Sequence, residues 1–115
     1  MNEEIKKDLE ENAKEYYKNA LEAEVRGEYN TSVTLFFKTI SSLCDLFIVV
    51  KKGIMPSNHS ERFRILETNF YEIYVLMDKA FPVYQESYKI KLEKSSSEKL
   101  KNDAKKLFEL LDIKV

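Results

Sequence analysis

The sequence is poor in the residues that make tight turns, with two glycines and two prolines among 115 residues. Sheet-containing folds connect many short elements through such turns and usually need more glycine. With 43% hydrophobic and 34% charged residues, the chain nevertheless has the composition of a globular protein. The scarcity of turn residues therefore favours long helices, and the length favours one domain covering residues 1–115.

Cysteine and excess charge are also scarce. A single cysteine, Cys44, excludes an intramolecular disulfide. A formal net charge of −1 excludes the simplest nucleic-acid binder, which would be basic overall, although a local basic patch is still compatible with it. No metal-ligand cluster and no glycine-rich phosphate loop is present, so we predict neither a metal nor a cofactor.

Long apolar runs are missing as well. The N-terminal sequence MNEEIKKDLEEN lacks the apolar stretch of a secretory signal. The longest dense apolar stretch, Leu43 to Val50, is interrupted by Asp45 and is shorter than the roughly 20 residues that span a bilayer. We therefore expect a cytoplasmic protein without a membrane segment.

Four segments repeat apolar residues at three- and four-residue steps, which is the pattern of one helix face. Gly27 follows the first segment, as a C-terminal capping glycine would. A capping-box pattern, Asn58 with Glu61, precedes the third segment, and another, Ser95 with Glu98, precedes the last. The predicted helices are about 2–26, about 30–52, one or two helices within 58–92, and a last helix that ends near residue 111.

The third segment contains Pro82, which removes a backbone hydrogen bond and clashes with the preceding turn of a helix. Residues 58–92 therefore form either one kinked helix or two helices, with a break near 79–82 or near 69–71. The predicted fold is an all-α, antiparallel up-and-down bundle of four to five helices.

The second helix has the widest apolar face, and we expect four of its residues to be almost fully buried: Phe36, Ile40, Leu43 and Phe47. Three more apolar residues, Leu35, Leu46 and Val49, lie partly outside that stripe. One small bundle would not cover them all, so this helix predicts a homodimer.

Two groups of side chains are candidate ligand contacts. His59, the lone histidine, titrates near neutrality and lies with Arg62 and Arg64 at a predicted helix entry, where backbone N–H groups favour anions. Tyr84 and Tyr88 belong to an aromatic stretch whose rings could stack on bases. We expect phosphate or nucleotide binding here. The alternative for both groups is ordinary packing.

The segment from Ala13 to Phe47, with its R-G-E-Y turn between two helices, resembles two families. One is the tetratricopeptide repeat, which must stack in several copies, and no second copy follows. The other is the HEPN domain, a helical bundle of higher eukaryotes and prokaryotes that is often associated with nucleotide binding. The HEPN resemblance covers nearly the whole chain, including the Gly53–His59 loop and the A-x-x-L-F helix from Ala104 to Phe108.

The HEPN resemblance implies a bundle that pairs as a homodimer, with a minimal nucleotidyltransferase as a partner protein in a toxin–antitoxin or defence-type system. Some HEPN proteins are metal-independent endoribonucleases, in which an Arg precedes a His on one helix. Here His59 precedes both arginines, and the family phrase R-Q-x-x-D-Y reads Tyr84-Gln85-Glu86-Ser87-Tyr88.

These departures favour a non-catalytic binding or interaction module with no catalytic residue, whose ligand is a nucleotide or RNA. Two alternatives stay open at this point. One is an endoribonuclease toxin with a rearranged site around His59, Arg62 and Arg64. The other, weaker, is a tetratricopeptide-like helical scaffold.

Overall fold

The computed structural model describes residues 2–115 and contains five α-helices, with no strand among these residues. The predicted all-α bundle of four to five helices is therefore confirmed. The helices are α1 (Asn2–Val25), α2 (Tyr29–Lys52), α3 (His59–Asn69), α4 (Tyr71–Glu86) and α5 (Lys94–Leu110).

Helix α2 lies at the centre of the bundle, in contact with all four other helices. Phe36, Ile40 and Leu43 have no exposed surface, as predicted from their helical spacing. The prediction of almost full burial was wrong for Phe47, which is only partly buried. Its ring packs edge-to-face on Phe70, at 5.0 Å between centroids, and it also lines a shallow surface groove at the corner between α3 and α4.

The apolar flank of α2 is covered within one chain. Leu46 and Val49 are 4% and 2% exposed and form a small cluster with Leu9 of α1, while Leu35 packs partly buried against the main core. The reasoning that these residues require a second subunit is therefore wrong. The homodimer itself stays a prediction, resting on the family resemblance.

By length and composition, α2 is the one helix in the described part of the chain that could cross a membrane. About 61% of its most apolar stretch is buried inside the bundle, and the core helix of a water-soluble protein has the same properties. The composition of α2 therefore does not assign it to a membrane.

Gly27 ends α1 as predicted. Its φ of +75° lies in the left-handed region that favours glycine, and it lets two backbone N–H groups turn back onto the helix. The N–H of Gly27 donates to the carbonyl of Glu24 at 3.0 Å, and that of Glu28 donates to the carbonyl of Ala23 at 2.9 Å. This paired pattern is the Schellman motif, and it reverses the chain so that α2 packs back along α1.

The third apolar segment forms two helices, and the break lies at Phe70 rather than at Pro82, which α4 accommodates internally. Phe70 leaves the helical conformation, with φ −140° and ψ 65°, and its N–H still donates to the carbonyl of Leu66 at 2.8 Å. Thr68 and Asn69 have low helix propensity, which favours the break here.

The connection from α4 to α5 is held by Asn30 at the start of α2. Its amide nitrogen donates to the carbonyls of Ser87 and Ile90 at 3.0 and 2.7 Å, and its oxygen accepts from the N–H of Leu92 at 2.9 Å. Helix α5 starts at Lys94, before Ser95, so the predicted Ser95 capping box does not form.

Candidate binding groove beside His59

Helix α3 begins where the sequence predicted. The side-chain oxygen of Asn58 accepts from the N–H of Glu61 at 2.9 Å, and the Glu61 carboxylate accepts from the N–H of Ser57 at 2.9 Å. The chain's own carboxylate thus occupies the positive end of this helix. Two backbone N–H groups at this helix entry, those of Ser57 and Glu61, therefore already have acceptors within the chain.

Arg62 of α3 forms a buried ion pair with Asp45 of α2. Its Nε lies 2.7 Å from Asp45 Oδ1 and its Nη2 lies 3.0 Å from Oδ2, so the pairing is bidentate. The Asp45 side chain is 7% exposed and that of Arg62 is 14% exposed. A carboxylate in the middle of an apolar helix requires such a partner, because an isolated buried charge is very costly.

The third member of this group is His59, whose Nδ1 lies 3.1 Å from Nη1 of Arg62. A guanidinium can only donate, so Nδ1 must accept, and the imidazole is neutral with its proton on Nε2. Burial, and then the charge of Arg62, lower the pKa of His59, while Asp45 acts in the opposite direction. His59 Nε2 is buried, and no atom of the described chain forms a hydrogen bond with it.

Aromatic rings surround His59. Its imidazole stacks on Phe81 at 4.3 Å between centroids and meets Phe63 edge-on at 4.5 Å. Close by, the rings of Phe37 and Tyr84 stack almost parallel, with 4.3 Å between their centroids and an angle of 9° between their planes. These rings fix the orientation of the imidazole and keep water from much of its surface.

Beside these rings is an open groove of about 420 Å³, which we call the His59 groove. It has an aromatic side and a polar side. The residues that line it are Tyr16, Phe37, Lys38, Ser41, Ser42, Asp45, His59, Arg62, Phe81 and Tyr84.

The polar side of the His59 groove carries a positive charge. Arg62 and Asp45 neutralise each other, which leaves Lys38 as the charge without an opposite partner in the groove lining. The Lys38 ammonium lies 5.9 Å from the centroid of the Tyr16 ring, a distance that suits a cation–π contact. The groove therefore combines flat apolar walls with one cation.

The structure brings together three of the five predicted contact residues: His59, Arg62 and Tyr84 line the His59 groove. Arg64 lies outside it, with its side chain 72% exposed and 3.6 Å from the Glu61 carboxylate. Tyr88 is also outside, 73% exposed, with its hydroxyl 2.6 Å from that of Tyr84. This hydrogen bond, followed by burial, raises the pKa of Tyr84.

Sequence reasoning missed two important residues of the groove, Asp45 and Lys38. Asp45 had a detectable signal, because a carboxylate inside the most apolar stretch of a chain must find a buried partner. Lys38 had no such signal, because a single lysine on a helix usually lies in solvent.

Two other kinds of site are not supported by the geometry. Within residues 2–115, no group of three or more His, Cys, Asp and Glu side chains could hold a metal ion. Burial raises the pKa of Cys44 to about 12, so its thiol stays protonated and is a poor nucleophile.

No family model, curated protein or solved structure matches this chain. The fold and the site therefore define the protein only as a five-helix bundle with a partly aromatic groove beside a buried Asp–Arg–His group.

Proposed function

We propose that this chain is a non-catalytic, HEPN-like binding module that holds a planar anion, such as a nucleotide, in the His59 groove. The observation that carries this proposal is the Nε2–H of His59, a buried donor with no acceptor in the described chain. Buried donors almost always have an acceptor, and leaving one without an acceptor costs about 1–3 kcal/mol. A ligand acceptor reaching this donor from the groove would recover that energy.

The aromatic side of the His59 groove suits a flat ring. A ligand there meets the rings of Tyr16, Phe37, Phe81 and Tyr84, and nucleobases stack on such side chains without requiring a particular sequence. The groove volume, about 420 Å³, is within the roughly 300–1,000 Å³ that is usual for small-molecule sites. Size and surface are thus compatible with a mononucleotide.

The polar side of the groove suits one anionic group. Lys38 supplies the charge, and the half-buried hydroxyls of Ser41 and Ser42 lie on the same helix within the lining. Arg62 is less suited to this role, because two of its nitrogens already bind Asp45 and a third faces His59. The expected anion contact therefore moves from the arginines to Lys38.

The same geometry argues against the endoribonuclease alternative around His59, Arg62 and Arg64. Proton abstraction from an RNA 2′-hydroxyl needs an imidazole nitrogen with a free lone pair. In His59, Nδ1 accepts from Arg62 and Nε2 carries the proton, so neither nitrogen has a free lone pair. Arg62 is neutralised by Asp45, and Arg64 lies outside the groove.

The tetratricopeptide-like alternative also lacks support. It requires further copies of the α1–α2 hairpin, in which each helix has 24 residues. Helices α3 and α4 have 11 and 16 residues and do not repeat that hairpin. Other parts of the proposal rest on the HEPN resemblance: a homodimer, a nucleotidyltransferase-type partner, RNA as a second ligand, and a toxin–antitoxin or defence-type role. The proposed cytoplasmic location rests on the sequence pattern alone.

Calorimetric titration with adenosine monophosphate tests the proposal. We expect saturable binding to the wild-type protein and about tenfold weaker binding to Lys38→Ala, since one charge-assisted contact is worth roughly 1.5 kcal/mol. Lys51→Ala is the matched control, because Lys51 is also exposed on α2 and lies 5.6 Å from an aromatic ring, that of Phe47. Absence of binding, or equal losses in the two variants, would contradict the proposal.

A further inference from the structure

Helix α1 carries an ordered series of charges along one exposed face. A second groove, of about 480 Å³, lies between this face, the end of α2 and the C-terminal segment. Its floor is apolar and includes Val50, which is 47% exposed, and Leu111. Six charged residues of α1 line it: Glu3, Lys6, Lys7, Glu10, Glu11 and Lys14.

The order of these charges is self-complementary. In a two-fold symmetric, antiparallel pair of α1 helices, each residue faces one residue of the other copy. The sum of the two residue numbers is the same for every facing pair. When Lys7 of one copy faces Glu10 of the other, all six charges meet their opposites. The facing pairs are then Glu3 with Lys14, Lys6 with Glu11, and Lys7 with Glu10.

Neighbouring registers lack this property. A shift of one residue in either direction keeps one opposite-charge pair among the six groove charges, Lys6 with Glu10 or Lys7 with Glu11. The other groove charges then face neutral residues or residues outside the groove lining. Opposite-charge pairing is therefore greatest in one register.

Helix geometry places two of the three facing pairs on one stripe, and the third pair, Lys6 with Glu11, flanks that stripe. Glu3, Lys7, Glu10 and Lys14 follow each other at steps of four, three and four residues, which is a single stripe of an α-helix. Within one chain, Glu3 holds Lys6 at 3.3 Å and Glu10 holds Lys14 at 3.0 Å. These exposed pairs contribute little stability, so exchanging them for pairs between copies is not costly.

We infer that a second copy of this chain docks on this face, with α1 antiparallel to α1 and Lys7 facing Glu10. The apolar floor supplies surface to bury, because the hydrocarbon stems of lysine and glutamate can lie along it while their charged ends pair. The charges then set register and specificity more than affinity. The inference rests on the proposed homodimer and gives it an interface that shares no lining residue with the His59 groove.

Sedimentation of paired charge-reversal variants tests this interface. E3K/E10K/E11K and K6E/K7E/K14E should each dissociate at least about tenfold more readily than wild type, because every facing pair becomes a like-charge pair. An equimolar mixture of the two should form a heterodimer. The control, E4K/D8K/E15K, carries the same change in charge as the first variant on the side of α1 turned away from the groove, and it should dimerise like wild type.

The results of this experiment distinguish a failure of the α1 interface from a failure of the proposed homodimer or of the His59 groove. A wild-type dimer that weakens at high salt, together with dimerisation of the mixture but of neither variant alone, is the expected result. A wild-type dimer that the variants and the control leave equally intact overturns this interface and keeps the homodimer. A monomeric wild type overturns both, while nucleotide binding by that monomer keeps the His59 groove.

Discussion

Two polar networks tie helices of this bundle together, and they differ in whether every donor finds an acceptor. The first, which we call the packing network, joins α1, α2 and α5, and the second, which we call the groove network, joins α2 and α3. The packing network consists of Glu24, Ser32, Ser97 and Lys101, and the groove network consists of Asp45, His59 and Arg62.

The packing network is complete. Lys101 donates to one oxygen of the Glu24 carboxylate at 2.6 Å, and Ser97 donates to the other. The single hydroxyl proton of Ser32 has two acceptors within reach, the oxygen of Ser97 at 2.7 Å and the carbonyl of Tyr29 at 3.0 Å. Burial alone would raise the pKa of Glu24, but the hydrogen bonds from Lys101 and Ser97 lower it overall. Such a network supports stability and leaves no unpaired donor for a ligand.

The groove network contains the stronger ion pair and yet is incomplete. Arg62 binds Asp45 through two hydrogen bonds, but the buried Nε2–H of His59 has no partner in the described chain, and His59 is one of the residues that line the groove. The comparison teaches that buried polar groups alone do not mark a site in this protein. The unpartnered donor at the edge of a groove is the feature that distinguishes the two networks.

The largest expected effect is the loss of Asp45. Asp45→Ala should lower the free energy of unfolding by about 3–5 kcal/mol, because it leaves the Arg62 charge buried without a partner. Urea denaturation followed by circular dichroism measures this loss. The double variant Asp45→Leu with Arg62→Leu should recover most of it, and a double variant as unstable as Asp45→Ala would show that the pair is not the cause.

A smaller effect is expected in the packing network. Glu24→Ala should cost about 1–3 kcal/mol, because Ser97 and Lys101 lose an acceptor but the Lys101 side chain, 22% exposed, can still reach water. The same denaturation assay compares the two networks directly. A cost for Glu24→Ala that exceeds the cost for Asp45→Ala would reverse the order proposed here.

The smallest effect is a difference in pH dependence. The pKa of His59 is lowered in the folded state from its ordinary value of 6.5, so the unfolded chain takes up a proton first and stability falls as the pH drops below that value. The pKa of Glu24 is lowered from 4.5, so its contribution is lost only below that value.

His59→Phe should therefore flatten the stability curve between about pH 7 and pH 5, where an unperturbed histidine titrates, and Glu24→Gln should leave that window unchanged. Thermal melts over this pH range measure both variants. A wild-type curve that rises on acidification through this window, with the rise abolished in His59→Phe, would show that the imidazole is protonated in the folded protein, contrary to the geometry.

Much of the fold follows from the sequence, because helix spacing, Gly27 and the Asn58 cap are local signals. The break at Phe70 was one of two predicted positions, and helical spacing alone does not distinguish them. At the break, the Phe70 ring packs on Phe47 of α2, a contact between residues distant in the chain that helical spacing does not reveal. The coverage of Leu46 by Leu9 is likewise a tertiary contact, and missing it led to the wrong reasoning about a second subunit.

Less of the candidate site was predictable. His59 and Arg62 were identified by residue type, but their roles depend on Asp45, which precedes Arg62 by 17 residues. That ion pair converts Arg62 from an expected anion contact into a structural group and fixes the tautomer of His59. Charge pairing across helices is not encoded in local spacing, so the sequence predicted His59 and Arg62 but neither Asp45 nor the chemistry of the group.

The most direct test of the groove is a long-range ¹H–¹⁵N NMR spectrum of the imidazole, since His59 is the only histidine and gives a single set of ring signals. At pH 7 we predict a neutral ring with the proton on Nε2, and a downfield shift of that proton when adenosine monophosphate is added and accepts its hydrogen bond. A proton on Nδ1, a charged ring, or an Nε2–H signal unchanged at saturating nucleotide would contradict the assignment of this groove as the binding site.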